Sequence, residues 1–89
     1  MMTAASFLAL AAVVADPTRL RMLLQLDRGP CTVGQLAAGS GITPSAAGHH
    51  VRRMQAAHLV GVWRTGRCAF VQRIDRRWTP FLRVLATDE

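Results

Sequence analysis

The sequence has few of the residues that enzymes use. It contains only five carboxylates, and two of them are the last two residues, Asp88 and Glu89. No Ser or Cys has an evident His partner, and residues 39–41 have the pattern of a turn and not of a phosphate-binding loop. We therefore predict no catalytic residue, no cofactor and no enzymatic activity.

Cysteine is scarce as well. Cys31 and Cys68 form no CxxC pair, which argues against a disulfide scaffold and favours a reducing, intracellular compartment. Burial is the simplest interpretation of both, since free cysteine is among the most buried residue types. His49 and His50 are neighbours and point about 100° apart on a helix, so they do not suit one metal ion and no metal site is predicted.

Long apolar runs are also missing, so no segment is expected to cross a bilayer. Residues 7–15 resemble the core of a signal peptide, but no positive charge precedes them and the apolar periodicity continues beyond them. We expect a cytoplasmic protein without a membrane partner.

Positive charge, in contrast, is abundant. The net charge is +6, all eleven basic residues are arginine, and the sequence pI is about 11.6. This composition predicts an acidic partner, and double-stranded DNA is the favoured one. The hydrophobic fraction of 51% is high for a chain of 89 residues, which favours apolar surface that a second chain covers.

Residues 43–59 contain the most informative pattern. Thr43 suits a helix N-cap, and Pro44 suits the first helical position. One arc of the helical wheel is suited to packing and consists of Ala47, His50, Val51, Met54 and His58. The opposite arc is small at first and cationic further on, with Ser45, His49, Arg52 and Ala56 flanked by Gly48 and Arg53. This division is typical of a helix that enters the DNA major groove, although an ordinary surface helix can share it.

Capping and turn signals divide the chain before this helix. Three helices are predicted, over residues 4–15, 17–27 and 33–38, the last behind a capping box that begins at Thr32. Residues 31–32 are predicted to be an extended link, and residues 39–41 a tight turn. The order helix, tight turn, helix is that of a helix-turn-helix.

After Leu59 the sequence period changes to two. Strands are predicted over residues 60–64 and 67–74, with a tight turn at Thr65-Gly66. This hairpin is the wing, and Arg64 and Arg67 flank its tip, where they are expected to reach phosphates or the minor groove. The two faces are expected to carry Cys68, Phe70 and Ile74 on one side and Ala69, Val71 and Arg73 on the other.

A last helix is predicted over about residues 75–86, and like the first it carries more apolar surface than one small core needs. We predict a single domain, residues 1–89, that is mainly α with a β-hairpin wing. Pairing of the terminal helices, about residues 4–15 and 76–86, would make it a homodimer. The expected interface residues are Phe7, Leu8, Ala11, Val14, Trp78, Phe81, Leu82 and Leu85.

In combination these segments resemble the ArsR/SmtB family of winged-helix repressors. The similar segments are residues 15–24, with Asp-Pro-Thr-Arg-Leu-Arg, residues 32–37, residues 42–54, with the two histidines, Leu59-Val60, and the wing around Gly66-Arg67. Each piece is weak alone, but the combination is fairly specific and extends over about residues 8–85.

The resemblance implies a homodimer that binds a palindromic operator and releases it when an inducer binds. It implies DNA contacts through the exposed arc, by Ser45, Ala46, Gly48, His49 and Arg52. It implies phosphate contacts by Thr32, Thr43, Arg53, Arg64 and Arg67. His50 matches a histidine that is common in the family, and we expect it to be structural.

The departures from the family concern the signal and the specificity. Metal-sensing members often carry Cys-x-Cys at the start of the third helix, where this chain has Cys31 alone, and the last helix lacks the His of another common metal site. No residue pattern identifies an inducer. His58 stands where the family usually has a helix-ending Gly, so a left-handed backbone is expected there. Few side chains suit base edges, so we expect modest specificity or reliance on arginine and DNA shape.

Two other functions stay open at this stage. A winged helix can serve as a protein–protein adaptor or antirepressor, with its apolar terminal helices holding a different protein. A thiol-responsive repressor would use Cys31 and Cys68 as its sensor.

Overall fold

The order of elements follows the predicted helix-turn-helix and wing. The structure, a computed structural model, describes residues 3–74, apart from the side chains of Ser6, Phe7 and Ala9. Its elements are α1 (Ala4–Val14), α2 (Pro17–Leu26), β1 (Cys31–Thr32), α3 (Val33–Ser40), α4 (Pro44–Ala56), β2 (Val60–Thr65) and β3 (Cys68–Arg73). The predicted last helix, with Trp78, Phe81, Leu82 and Leu85, lies outside the described residues.

Side-chain caps begin α2 and α4 where the sequence predicts. The carboxylate of Asp16 accepts hydrogen bonds from the backbone N–H groups of Thr18 at 2.8 Å and Arg19 at 3.2 Å. The hydroxyl of Thr43 accepts from the N–H of Ala46 at 3.1 Å. Each cap satisfies a donor that has no partner within the helix and contributes about 1 kcal/mol to stability.

The capping box of α3 is also confirmed. The N–H of Gln35 donates to the Thr32 hydroxyl at 3.0 Å, and the Thr32 N–H donates to the Gln35 side-chain oxygen at 2.9 Å. The end of this helix was predicted two residues too early, because Gly39 and Ser40 are helical. The left-handed residue is Gly41, with φ of 68°, and its N–H closes the helix on carbonyls of the last turn.

Residues 31–32 are not the extended link that we predicted but a third strand. β1 pairs antiparallel with β3, so that the sheet order is β1-β3-β2 and Cys31 faces Val71. Two residues show no readable alternation, and their partner lies far along the chain, so a local pattern cannot reveal the pairing. The extra strand ties the start of α3 to the wing.

The wing turn lies one residue later than predicted. Thr65 pairs with Cys68, which leaves Gly66 and Arg67 as the central residues. Gly66 has a φ of 60°, and a positive φ at the first central position is what a two-residue type II′ turn requires of glycine. Arg67 therefore sits at the tip of the wing itself.

The core lies between the helices and the inner face of the sheet. Its buried side chains are Leu10, Val13, Met22, Leu23, Leu26, Leu36, Ala37, Ala47, Val51, Met54, Leu59, Val60 and Val71. Full burial of a Leu or Met side chain contributes about 1.5–3 kcal/mol. On α2, Leu26 is fully buried, while Leu20 and Leu24 are partly buried and pack against the core.

The helical-wheel prediction for α4 is correct in the middle of the helix and wrong at its end. Ala47, Val51 and Met54 are buried and His50 is half-buried, as the packing arc predicts. His58 is exposed, because the helix ends at Ala56 and a wheel has no meaning beyond it. Its φ of 62° confirms the predicted left-handed conformation.

α1 packs on the core with Leu10 and Val13, while Leu8 on its outer side is 65% exposed and Ala11 and Val14 are half-buried. The helix thus presents apolar surface beyond what the core covers. Among residues 3–74, every helix is too short or too polar to cross a membrane.

Candidate nucleic-acid interface

The first turn of α4 is exposed and nearly free of large side chains. Thr43 and Ser45 are exposed and Ala46 is half-buried. The Thr43 hydroxyl accepts a hydrogen bond from the helix, which leaves its O–H free to donate, for instance to a phosphate oxygen. Small side chains at this end allow close approach of the backbone to another molecule, and helix N-termini attract negative charge.

The middle of the exposed arc combines glycine, histidine and arginine. His49 and Arg52 are exposed, and Gly48 between them is half-buried. A Cβ added at Gly48 would lie 3.7 Å from Nη1 of Arg52. The Arg52 side chain therefore runs back along the helix, and its guanidinium lies over the glycine on the face that is predicted to enter the groove.

Arg53 and Thr32 stand at the edges of this face. Arg53 is exposed and borders a cleft between α1 and the end of α4 that Val13 and Arg19 also line. Thr32 is half-buried, and its hydroxyl is occupied as an acceptor by the capping box. Both positions suit contact with a nucleic-acid backbone more than contact with base edges.

The wing brings two further guanidinium groups. Arg64 near the end of β2 and Arg67 at the turn are both exposed. Within residues 3–74 the side chains of Arg52, Arg53, Arg64 and Arg67 form no hydrogen bond or ion pair. Four unpaired cations are therefore available to an external anion.

The negative charge is distributed unevenly along the sequence, which the composition alone does not show. No Asp or Glu occurs between Asp27 and Asp75, so α3, α4 and both wing strands carry no carboxylate. No acid within residues 28–74 offsets the positive charge of this segment, as expected of a surface for a polyanion. The spacing of the five acids in the sequence is the signal from which this could have been found.

Not every arginine contributes to that field. Arg73 is 3% exposed and lies 3.5 Å from a carboxylate oxygen of Asp27. Its place beside Val71 on the inner face of β3 agrees with the predicted grouping of strand residues, but nothing in the sequence identified its acidic partner. Arg19 on α2 is half-buried as well.

The prediction of burial is wrong for Cys68. It is exposed near the wing tip, on the outer face of the sheet, where Trp63 stacks on Phe70 with ring centroids 5.7 Å apart. Trp63 and Ile74 on that face are 40% and 61% exposed, whereas Val71 on the opposite face is buried in the core. Cys31 is half-buried, and its thiol donates to the carbonyl of Gly29 at 3.6 Å.

The two cysteines are not placed for a disulfide with each other. Cys31 pairs with Val71 on β3. Cys68 precedes Val71 by three residues, which separates these two residues by roughly 10 Å at the rise of a strand. A disulfide requires Cα atoms less than about 7 Å apart. The rings of His49 and His50 are 6.2 Å apart between centroids, and no three potential metal ligands cluster in the part of the chain that is described.

Comparison with known proteins identifies the sequence pattern. Residues 16–61 match the model of the bacterial regulatory protein family arsR. The chain is 43% identical over 54 residues to the HTH-type transcriptional regulator CmtR of Mycobacterium tuberculosis strain H37Rv, a match that covers 61% of the chain and 46% of CmtR. The chain thus spans about half the length of this curated relative, which is a transcriptional regulator and not an enzyme.

Two solved structures share the fold. The antimony-specific transcriptional repressor AntR has a TM-score of 0.82 at 28% identity, with 97% of this chain and 81% of AntR covered. The homodimeric winged helix-turn-helix DNA-binding domain of Mb0332 from Mycobacterium bovis has a TM-score of 0.80 at 17% identity, with coverages of 91% and 75%. The predicted winged helix-turn-helix is therefore confirmed.

Proposed function

The chain belongs to the arsR family of bacterial regulatory proteins, and on this premise we propose that it is a transcriptional repressor that binds double-stranded DNA as a homodimer. The observation that carries the proposal is the surface of α4 and the wing. Four arginines without a partner among residues 3–74 lie there, in a segment whose sequence has no carboxylate. Such a surface suits the phosphate backbone of DNA.

The proposed contacts divide into two groups by their place on this surface. The exposed arc of α4 enters the major groove, with Ser45, Ala46, Gly48, His49 and Arg52 beside the bases. The phosphates are held around it by Thr32, Thr43, Arg53, Arg64 and Arg67. Arg52 is the strongest candidate for base recognition, because a guanidinium can donate two hydrogen bonds to one guanine.

The proposed homodimer rests on the apolar terminal segments. Leu8 on α1 is 65% exposed, and with Phe7, Ala11 and Val14 it would pair with Trp78, Phe81, Leu82 and Leu85 of the last helix. Mb0332, which shares the fold, is homodimeric. In this proposal residues 1–89 form one domain, and the twofold axis of the dimer calls for a palindromic operator.

The proposal includes a cytoplasmic location, since a bacterial repressor acts where the chromosome lies, and regulation without the usual metal sites of the family. It involves no cofactor and no membrane partner. AntR is antimony-specific, but the metal-binding Cys-x-Cys position of the family holds only Cys31 here.

Two alternatives have one observation each in their favour. The outer face of the wing, with Trp63 40% exposed and Ile74 61% exposed, would suit a protein adaptor or antirepressor. The exposed thiol of Cys68 near Arg67 would suit a thiol-responsive repressor. Peroxide treatment that leaves DNA affinity unchanged would exclude the second.

The test is binding of the full chain to the duplex upstream of its own coding sequence and to a scrambled duplex, at two salt concentrations. A preference for the upstream duplex that persists at the higher salt is expected, together with a steep loss of overall affinity as salt increases. Equal, weak binding that vanishes with salt would refute specific regulation and favour the adaptor.

A further inference from the structure

Arg19 joins three segments of the molecule that are separate in sequence. Its side chain is 11% exposed. Its Nε donates a hydrogen bond to the carbonyl of Val13 at 2.8 Å, and its Nη1 lies 3.2 Å from Nδ1 of His50. The same Nη1 is 3.8 Å from a carboxylate oxygen of Asp16. One guanidinium on α2 therefore contacts α1, the cap between α1 and α2, and α4.

The contact with α1 places a cation at the C-terminal end of that helix. Val13 lies in the last turn, where carbonyl groups have no partner within the helix and the partial charge is negative. α1 has no basic residue of its own in this turn. The cation of Arg19 therefore stabilises the end of α1 and holds it against α2.

The contact with α4 assigns the acceptor role to His50. A guanidinium has donors and no acceptor, so Nδ1 of His50 accepts the hydrogen bond and the ring N–H is on Nε2. The link from Arg19 to α4 therefore depends on the acceptor at Nδ1.

We propose that Arg19 is a positioning residue that fixes α4 relative to α1 and α2 through its hydrogen bonds to Nδ1 of His50 and the carbonyl of Val13. The inference rests on the proposed function in so far as α4 is the helix that reads DNA and α1 is part of the dimer. Under it, Arg19 links the orientation of the reading helix to the helix that the partner subunit would contact.

The DNA experiment compares variants of equal charge. Arg19→Gln removes the link, and Arg21→Gln is the matched control, because Arg21 is an exposed arginine of the same helix. We expect Arg19→Gln to weaken binding to the preferred duplex about tenfold, the size of one lost charged hydrogen bond. Arg21→Gln should weaken binding to the preferred and scrambled duplexes alike, and by less.

Replacement of His50 separates a hydrogen-bond role from a packing role. Asn offers an oxygen near the position of Nδ1, whereas Leu offers no acceptor. His50→Asn should keep most of the wild-type affinity for the preferred duplex, and His50→Leu should bind it weakly.

A measurement without DNA tests the link even if the chain binds no operator. The imidazole ¹⁵N shifts of His50 should report the Nε2–H tautomer in wild type and in Arg21→Gln, and mixed tautomers in Arg19→Gln. Amide exchange in α4 should accelerate in Arg19→Gln, while exchange in α3 stays unchanged.

The proposal is overturned if the two arginine variants behave alike, or if His50→Asn loses as much affinity as His50→Leu. It is also overturned if the tautomer of His50 does not change when Arg19 is replaced. A wild-type chain that treats both duplexes alike would instead refute the proposed function, and the tautomer and exchange results would still decide on Arg19.

Discussion

The arginines of this molecule fall into two groups that differ in what surrounds them. Arg19 and Arg73 are withdrawn from solvent and lie beside the carboxylates of Asp16 and Asp27. Arg52 and Arg53 on α4 and Arg64 and Arg67 near the wing tip are exposed and have no partner among the described residues. One residue type thus forms ion pairs within the fold on the α2 side and is exposed to solvent on α4 and at the wing tip.

Charge composition indicates function only when each charged side chain is assigned to its place in the structure. A net charge of +6 does not say which cations are available. A cation beside a carboxylate adds little to the external field, whereas cations in a segment without acids add to each other. Substitution of individual arginines therefore tests whether the buried and the exposed arginines have different roles.

The largest effect is expected for Arg73→Ala, which leaves the carboxylate of Asp27 without its 3.5 Å partner. Removal of one member of a buried ion pair costs about 3–5 kcal/mol of unfolding free energy. Urea unfolding followed by circular dichroism measures it. The control, Arg64→Ala on the neighbouring strand, should change stability by less than about 0.5 kcal/mol. Similar losses in the two variants would contradict the division.

Next in size is the effect of Arg52→Ala on DNA recognition, with stability unchanged. If Arg52 contacts a guanine, its loss should cost about 1–3 kcal/mol for the preferred duplex and less for a scrambled duplex. His49→Ala should act in the same direction. Fluorescence anisotropy with both duplexes measures the difference. Equal losses on both would assign these side chains to the phosphates.

A smaller and non-selective effect is expected for Arg67→Ala at the wing tip. Both duplexes should lose affinity alike, and the slope of log affinity against log salt should decrease by about 1, since one phosphate contact is removed. Titrations at several salt concentrations test this. An unchanged slope would show that the wing tip does not reach DNA.

The smallest effect concerns pH and Asp16. Burial raises the pKa of Asp16, but the N–H donors of Arg19 and Thr18 and the nearby charges outweigh it, so that the pKa is lowered from its ordinary value of 3.8. A lowered folded-state pKa stabilises the protein above the ordinary pKa, and this stabilisation is lost as pH falls through the folded value.

The variant Asp16→Asn should keep much of the cap and lose this dependence on pH. Its unfolding free energy should fall less than that of wild type between about pH 6 and about pH 3, on the two sides of the ordinary Asp pKa. Thermal unfolding at both pH values provides the comparison. Parallel curves for variant and wild type would show that Asp16 does not contribute to acid sensitivity.

Much of the fold was predictable, because its signals are local. Each helix cap is formed within a short segment: the side chains of Asp16, Thr32 and Thr43 accept hydrogen bonds from backbone N–H groups two or three positions along the chain. The left-handed backbone of His58 follows from its place just after a helix. The candidate face of α4 was predictable for the same reason, since a period of 3.6 orders its residues along one segment.

The end of α3 and the wing turn were misplaced by one or two residues, and the larger errors concern contacts between distant segments. The β1 strand was missed because its partner is β3, and Cys68 was expected to be buried because the alternation of a strand does not say which face meets the core. The contact of Arg19 could not be predicted from a local pattern, because its acceptor His50 lies 31 positions away.

The sequence by itself determined the helix starts, the wing, the family and the concentration of positive charge after Asp27, since these follow from spacing and composition. The tertiary structure decided which arginines are bound and which are available. The Arg73–Asp27 pair joins residues 46 positions apart, and no local pattern contains both. Whether a side chain meets a carboxylate or solvent is settled only when the segments pack together.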